Sequence, residues 1–134
     1  MTTMDVSPTD ELRAMVVDDS RAMRKILARI LSELGFDVVE AGDGLEALEC
    51  LRDDSDIVLA LVDINMPNMN GIELVKAVRA NLIWQDLRLL MVTSETEMSS
   101  MVAALEAGAD EYATKPFDTM VILDKLRLMG FIDD

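Results

Sequence analysis

Apolar positions along the chain fall into two patterns that alternate from one end to the other. Short unbroken runs have the length and branched-residue content of buried strands: LRAMVV (12–17), FDVVEA (36–41), IVLALVD (57–63), LRLLMVT (87–93) and a weaker EYAT (111–114). Between them, apolar residues recur at three- and four-residue spacing, as on one face of a helix. Met23, Ile26, Leu27, Ile30, Leu31 and Leu34 form the first stripe, and Leu45, Leu48 and Leu51 the second. Ile72, Val75 and Val78 form a third, and Met101, Val102 and Leu105 a fourth. Val121, Ile122, Lys125, Leu126 and Met129 make an imperfect fifth.

Turn and cap residues sit where this reading needs them. Ser20 suits a helix N-cap, Gly35 and Gly108 follow the first and fourth helices, and Gly44 and Gly71 open the second and third. The order is (βα) five times. Strict alternation predicts an α/β domain in which a five-stranded parallel sheet is covered by helices on both faces through right-handed crossovers. At 134 residues the chain suits one domain able to bury a core without staples. The expected division is a disordered lead over 1–10, the domain over 11–130 and a short tail over 131–134.

Composition narrows the function. The chain is 51% hydrophobic and 28% charged, and no apolar run approaches the roughly 18 residues that a bilayer requires. The polar, acidic start MTTMDVSPTDEL lacks the basic flank and apolar centre of a signal peptide, so a cytoplasmic protein with no membrane partner is expected. Twelve basic and 26 acidic residues give a formal charge of −14, which repels nucleic acid. With no histidine, imidazole bases and histidine-held metals are excluded. The single Cys50 falls on a helical stripe and reads as a half-buried free thiol, and the eleven methionines read as flexible core filler.

Chemistry is left to carboxylates, hydroxyls and lysine. In an open parallel sheet, ligands bind beyond the carboxyl ends of the strands. The first strand ends in Asp18 and Asp19, the third in Asp63, the fourth in Thr93, and the fifth runs into Lys115-Pro116. Each alone reads as a cap, a turn residue or a surface cation; the set is informative. Carboxylates in contact repel by about 4 kcal/mol per pair at an effective dielectric near 20, so they share a proton or hold a cation. Oxygen ligands with room for water suit Mg²⁺, or Mn²⁺ in its place. A carboxylate beside such a cation, a lysine and a threonine has what a phosphoryl acceptor requires, with Asp63 as the attacking group.

The segments VVDDSRAMRKIL, LVDINMPNMNGIEL, MVTSE and YATKPFD together resemble the receiver domain of two-component response regulators, most closely the single-domain chemotaxis type, CheY-like. The likeness runs from about Leu12 to Met129. It implies a flavodoxin-like three-layer sandwich with strand order 2-1-3-4-5, the order established for this protein type. It further implies phosphorylation of Asp63, with Asp19, Asp63 and the backbone carbonyl of Asn65 binding Mg²⁺ and Asp18 acting through a water. Thr93 and Lys115 would bind the phosphoryl group, and Tyr112 would be the aromatic whose rotamer follows Thr93. Met66-Pro67 and Gly71 would shape the acid pocket, and Asn65 and Glu95 would tune the loss of the phosphoryl group. Ala113 departs from the branched residue often found beside that aromatic.

The implied function is a switch rather than an enzyme, catalysing only its own phosphorylation and dephosphorylation. A histidine kinase would donate the phosphoryl group, and a monomer would bind a target through its fourth helix, fifth strand and fifth helix. The flagellar motor switch is one candidate target, and a phosphatase a further partner. Support for a stand-alone switch is the absence of an output domain after residue 130. The alternative is a phosphorelay intermediate that passes its phosphoryl group to a histidine phosphotransfer protein. A dehalogenase-type phosphatase would need a second Asp two residues after the first, and Asn65 stands there. The implied target face carries Glu95, Glu97, Glu106, Asp110, Glu111, Asp118 and Asp124 against Lys125 and Arg127, which suits a basic partner patch.

Overall fold

The computed structural model describes residues 12–94, 96 and 98–132. Its elements run β1 (Arg13–Val17), α1 (Arg21–Glu33), β2 (Asp37–Ala41), α2 (Gly44–Asp53), β3 (Ile57–Val62), α3 (Gly71–Arg79), β4 (Arg88–Ser94), α4 (Met98–Ala107), β5 (Glu111–Lys115) and α5 (Thr119–Leu128). The strands form one sheet in the order β2-β1-β3-β4-β5. Every neighbouring pair is parallel. This is the flavodoxin-like order expected from the resemblance. The lead over 1–10, Glu95, Glu97 and the last two residues lie outside the described residues.

The central strands are apolar throughout because both of their faces are covered. Alternate residues divide the core in two. Met15, Val17, Ala60, Val62, Leu89 and Met91 pack with Leu48, Leu51, Leu74, Val75, Val78 and Met101, on the side of α2, α3 and α4. Ala14, Val16, Leu59, Leu61, Leu90 and Val92 pack with Leu27, Ile30, Leu31, Ile122 and Leu126, on the side of α1 and α5. Phe131 and Ile132, where the tail was expected to begin, pack against this second core. The Phe131 ring meets Phe36 edge-on, with centroids 5.9 Å apart.

Three stripes need correction by one residue. Ile26, Leu45 and Val102 are half exposed, at 50, 51 and 53%. In α2 the buried set is Gly44, Ala47, Leu48 and Leu51, and in α4 it is Met101 and Ala104. One residue turns a helix by about 100°, so small residues at the correct phase are buried while larger neighbours face outward. Strand ends also shift: Phe36 and Leu87 precede β2 and β4, and β5 extends to Lys115. A short 3-10 turn at Leu82–Trp84, unexpected from the pattern, links α3 to β4.

Helix ends follow side-chain chemistry. Ser20 caps α1 by accepting from the Met23 N–H, and Asp43 and Asp118 cap α2 and α5 in the same way. Asn70 and Glu73 form a reciprocal capping box on α3.

Candidate functional site: an acidic pocket at the carboxyl end of the sheet

The alternation that sorts the core also aims the site residues. Asp18 continues the phase of Ala14 and Val16, Asp63 that of Leu59 and Leu61, and Lys115 that of Ala113, so the three lean to the same side of the sheet. The Asp63 N–H still donates to the Val17 carbonyl at 2.9 Å, which holds Asp63 beside the end of β1. Lys115 Nζ lies 3.0 Å from Asp18 Oδ2 and 3.5 Å from Asp63 Oδ2, bridging the ends of β1, β3 and β5. Asp18 is also held at Oδ1, which accepts from the Ser20 N–H at 2.9 Å.

Burial sharpens these charges. Asp18 and Thr93 are 1% exposed and Asp63 is 8% exposed, while Asp19 opens to solvent. Burial pushes the Asp63 carboxyl above the ordinary aspartate value, the Lys115 ammonium pulls it back, and the Asp18 carboxylate adds to the rise. The Thr93 hydroxyl and the Ile64 N–H favour the charged form of Asp63, but the net effect is upward. Thr93 Oγ1 lies near that carboxylate without meeting hydrogen-bond geometry. Among the described residues it is one of two buried side-chain polar atoms with no partner. An orphaned hydroxyl at the mouth of a pocket is suited to a ligand oxygen.

One oxygen each from Asp18, Asp19 and Asp63 lies within 4.8 Å of the others. Three carboxylates this close, two buried and one open to water, fit a hard divalent cation that keeps part of its hydration, such as Mg²⁺. Lys115 offsets only part of their charge, so a cation has a reason to bind. Asn65, the other expected ligand, is exposed just beyond β3. Glu95 lies outside the described residues.

Tyr112 is half buried and packs against the core on the α2–α3–α4 side. It pairs with Met91 in the register that sets Thr93 opposite Thr114, so Tyr112 and Thr93 share a sheet face on adjacent strands. The ring also carries Lys125 Nζ 4.8 Å from its centroid. Lys125 in turn pairs with Glu111 at 3.1 Å. Ala113 is buried against the opposite core, where a small side chain is accommodated.

The pocket is supported by Gly71, which the resemblance named, and by Asn68 and Arg24, which the sequence pattern did not single out. A Cβ on Gly71 would fall 2.4 Å from the Asp63 carbonyl oxygen and 2.8 Å from Ile64 Cα. The Gly71 N–H donates to the Ile64 carbonyl at 2.8 Å, which closes the loop that follows Asp63. Asn68, at φ 66°, donates from its side chain to Asp43 at 2.7 Å and ties that loop to the start of α2. Arg24 donates to the Asp18 carbonyl at 2.7 Å. An Asn in the MPNMN run is the signal that could have announced the left-handed turn.

The response regulator receiver domain model matches residues 14–127. The chemotaxis protein CheY homolog of Campylobacter jejuni is 43% identical over 116 residues, covering 86% of this chain and 89% of that protein. CheY1 of Helicobacter pylori is 41% identical over 119 residues, covering 88% of this chain and 96% of that one. The solved structure of the chemotaxis response regulator CheY4 of Vibrio cholerae is similar at a TM-score of 0.81 and 32% identity, over 88% of this chain and 98% of its own. A domain match across most of the chain, a shared strand order and an acidic pocket at the carboxyl edge agree: the chain belongs to the response regulator receiver domain family, among its CheY-like members.

Proposed function

We propose that the protein is a phosphorylation-driven switch of a two-component system, in which Asp63 accepts a phosphoryl group from a histidine kinase. The observation that supports this most directly is the Asp63 carboxylate, buried at the end of β3 and 3.5 Å from Lys115, beside the Thr93 hydroxyl, which has no hydrogen-bond partner among the described residues. An Asp63 oxygen forms the new bond to phosphorus as the bond from phosphorus to the donor nitrogen breaks, and the electron pair leaves with that nitrogen. Lys115 moves from the carboxylates toward the incoming oxygens, and the Thr93 hydroxyl donates to one of them. Asp18, Asp19 and Asp63 would hold Mg²⁺ together with the Asn65 carbonyl; when bound, the metal supplies neutralising charge for the transferred group.

Repositioning of Thr93 would be sensed by Tyr112 on the same sheet face and passed to the surface of α4, β5 and α5. That surface is where a target protein would dock, with chemotaxis and motility as the setting suggested by the CheY relatives. Val102 and Met98 on α4 are half exposed there, and the acidic Glu106, Asp118 and Asp124 favour a basic partner. Asn65, exposed beside the acceptor, leaves water a path to the phosphoryl group, so a lifetime of minutes is expected.

The test is an intact-mass time course with a small phosphodonor and Mg²⁺. The expected result is the gain of one phosphoryl group that is absent in Asp63→Asn and decays within minutes. A group persisting for hours would favour a relay intermediate over a switch, and no gain at all would remove the central role of Asp63.

A further inference from the structure

Arg24 lies one turn into α1, and its side chain is only 19% exposed. Its NH1 donates to the backbone carbonyl of Asp18 at 2.7 Å, and its Nε to Glu40 Oε1 at 3.2 Å. The guanidinium therefore spans from the peptide that joins Asp18 to Asp19 across to the penultimate residue of β2. Glu40 is fixed from its other oxygen by Lys25 at 2.9 Å, so the acceptor that orients Arg24 is itself held.

The Asp18–Asp19 peptide is where strand geometry ends and two adjacent carboxylates must both turn toward Asp63. Asp18 is restrained at its N–H by the Ala41 carbonyl and at its carboxylate by Ser20 and Lys115. The remaining freedom is rotation of the peptide that follows, and Arg24 grips that peptide at its oxygen. A planar fork reaching two acceptors at once fixes a peptide in a way that a single ammonium does not. We infer that Arg24 is a positioning residue for the cation site, holding the Asp18–Asp19 peptide so that the exposed Asp19 stays within reach of Asp63. This rests on the reading of that pocket as a divalent-cation site proposed above.

The sign of the effect separates positioning from simple charge. A guanidinium near a dication repels it, so its removal acting through Coulomb forces alone would tighten cation binding. Loss of positioning weakens it, typically by 10- to 100-fold for groups that orient metal ligands. The experiment is calorimetric titration with MgCl₂ at constant ionic strength, for the intact chain, Arg24→Ala, Arg24→Lys and Lys25→Ala, with a thermal melt of each. Lys25→Ala removes a cation from the same Glu40 but touches no part of the acidic pair among the described residues. The expected result is a dissociation constant raised about tenfold or more in Arg24→Ala, raised less in Arg24→Lys, and unchanged within about twofold in Lys25→Ala.

A merely structural role would lower the melting temperature and leave the constant where it was. An unchanged or tighter constant in Arg24→Ala overturns the inference, as does equal weakening by Lys25→Ala. Should Arg24→Ala fail to fold, Arg24→Lys decides: affinity equal to that of the intact chain overturns it. An intact chain that binds no Mg²⁺ would instead overturn the reading of the pocket itself, and the inference with it.

Discussion

At the scale of single residues, the acid pocket depends on backbone packing as much as on charge. Gly71 has no room for a methyl group, because its Cβ would meet the Asp63 carbonyl and Ile64 Cα, both of them backbone. Gly71→Ala must therefore push the α3 start away from the end of β3. A loss of about 2–4 kcal/mol is expected, read as a fall in the midpoint of chemical unfolding. Gly35→Ala is the contrast: its φ of 101° strains an alanine, yet nothing lies within 4 Å, so the cost should stay near 1 kcal/mol. Equal costs would remove close packing as the reason for glycine at 71. Asp63 carries the opposite kind of constraint. Its carboxyl is pushed above the ordinary value by burial and by Asp18, so in the absence of metal its ionised form at neutral pH works against the fold. Asp63→Asn should then be more stable than the native protein in chelator, by on the order of 1 kcal/mol, and melt higher, while losing the proposed phosphoryl acceptor. A lower melting point would show that the Lys115 contact outweighs the burial.

At the scale of elements, β2 and α1 are joined by a small ionic strap in which Glu40 accepts from both Arg24 and Lys25. Burial raises the Glu40 carboxyl, but Lys25 and Arg24 more than reverse this and hold it below the ordinary glutamate value. A depressed carboxylate adds stability above its unfolded pKa, here 4.5, and loses it as pH falls through the lower folded value. Glu40→Gln should therefore be less stable than the native protein at pH 7, by no more than about 1 kcal/mol because the strap is partly exposed. The difference should close as the pH falls below 4.5 and through the lower folded value. A difference independent of pH would mean that Glu40 acts by packing alone.

The same strap shows why some of the architecture could be read from sequence and some could not. Continuous apolar runs marked β1, β3 and β4 because both faces of those strands are covered, and the carboxylates at the ends of β1 and β3 stood out for that reason. Helix stripes were less sharply defined: alanine and glycine carry the buried phase of α2 and α4 as well as leucine does, and Leu45 and Val102 drew the pattern one residue off. Supports such as Arg24 on the Asp18 carbonyl and Asn68 on Asp43 join side chains to positions that only the folded backbone brings near. No periodicity in the chain could announce them.

At the scale of the whole molecule, the excess of acid sets the background against which the site works. A formal charge of −14 on 134 residues repels itself, so any salt should stabilise the protein somewhat by screening. Binding at the acidic pocket adds a different contribution, because a cation held by the native state alone stabilises by RT ln(1 + [L]/Kd), about 2.7 kcal/mol at one hundred times Kd. The two are separated by comparing MgCl₂ with NaCl at equal ionic strength. A few millimolar MgCl₂ should raise the melting temperature by several degrees beyond the matched NaCl solution. Asp19→Asn keeps the buried pair of Asp18 and Asp63 with Lys115 but removes the one exposed carboxylate of the cluster, so most of the Mg²⁺-specific rise should vanish while the NaCl response remains. If MgCl₂ and NaCl raised the melting temperature equally in the native protein, the three carboxylates would be acting as part of a general acidic field. Their convergence at the end of the sheet would then have to be explained by the Lys115 bridge alone.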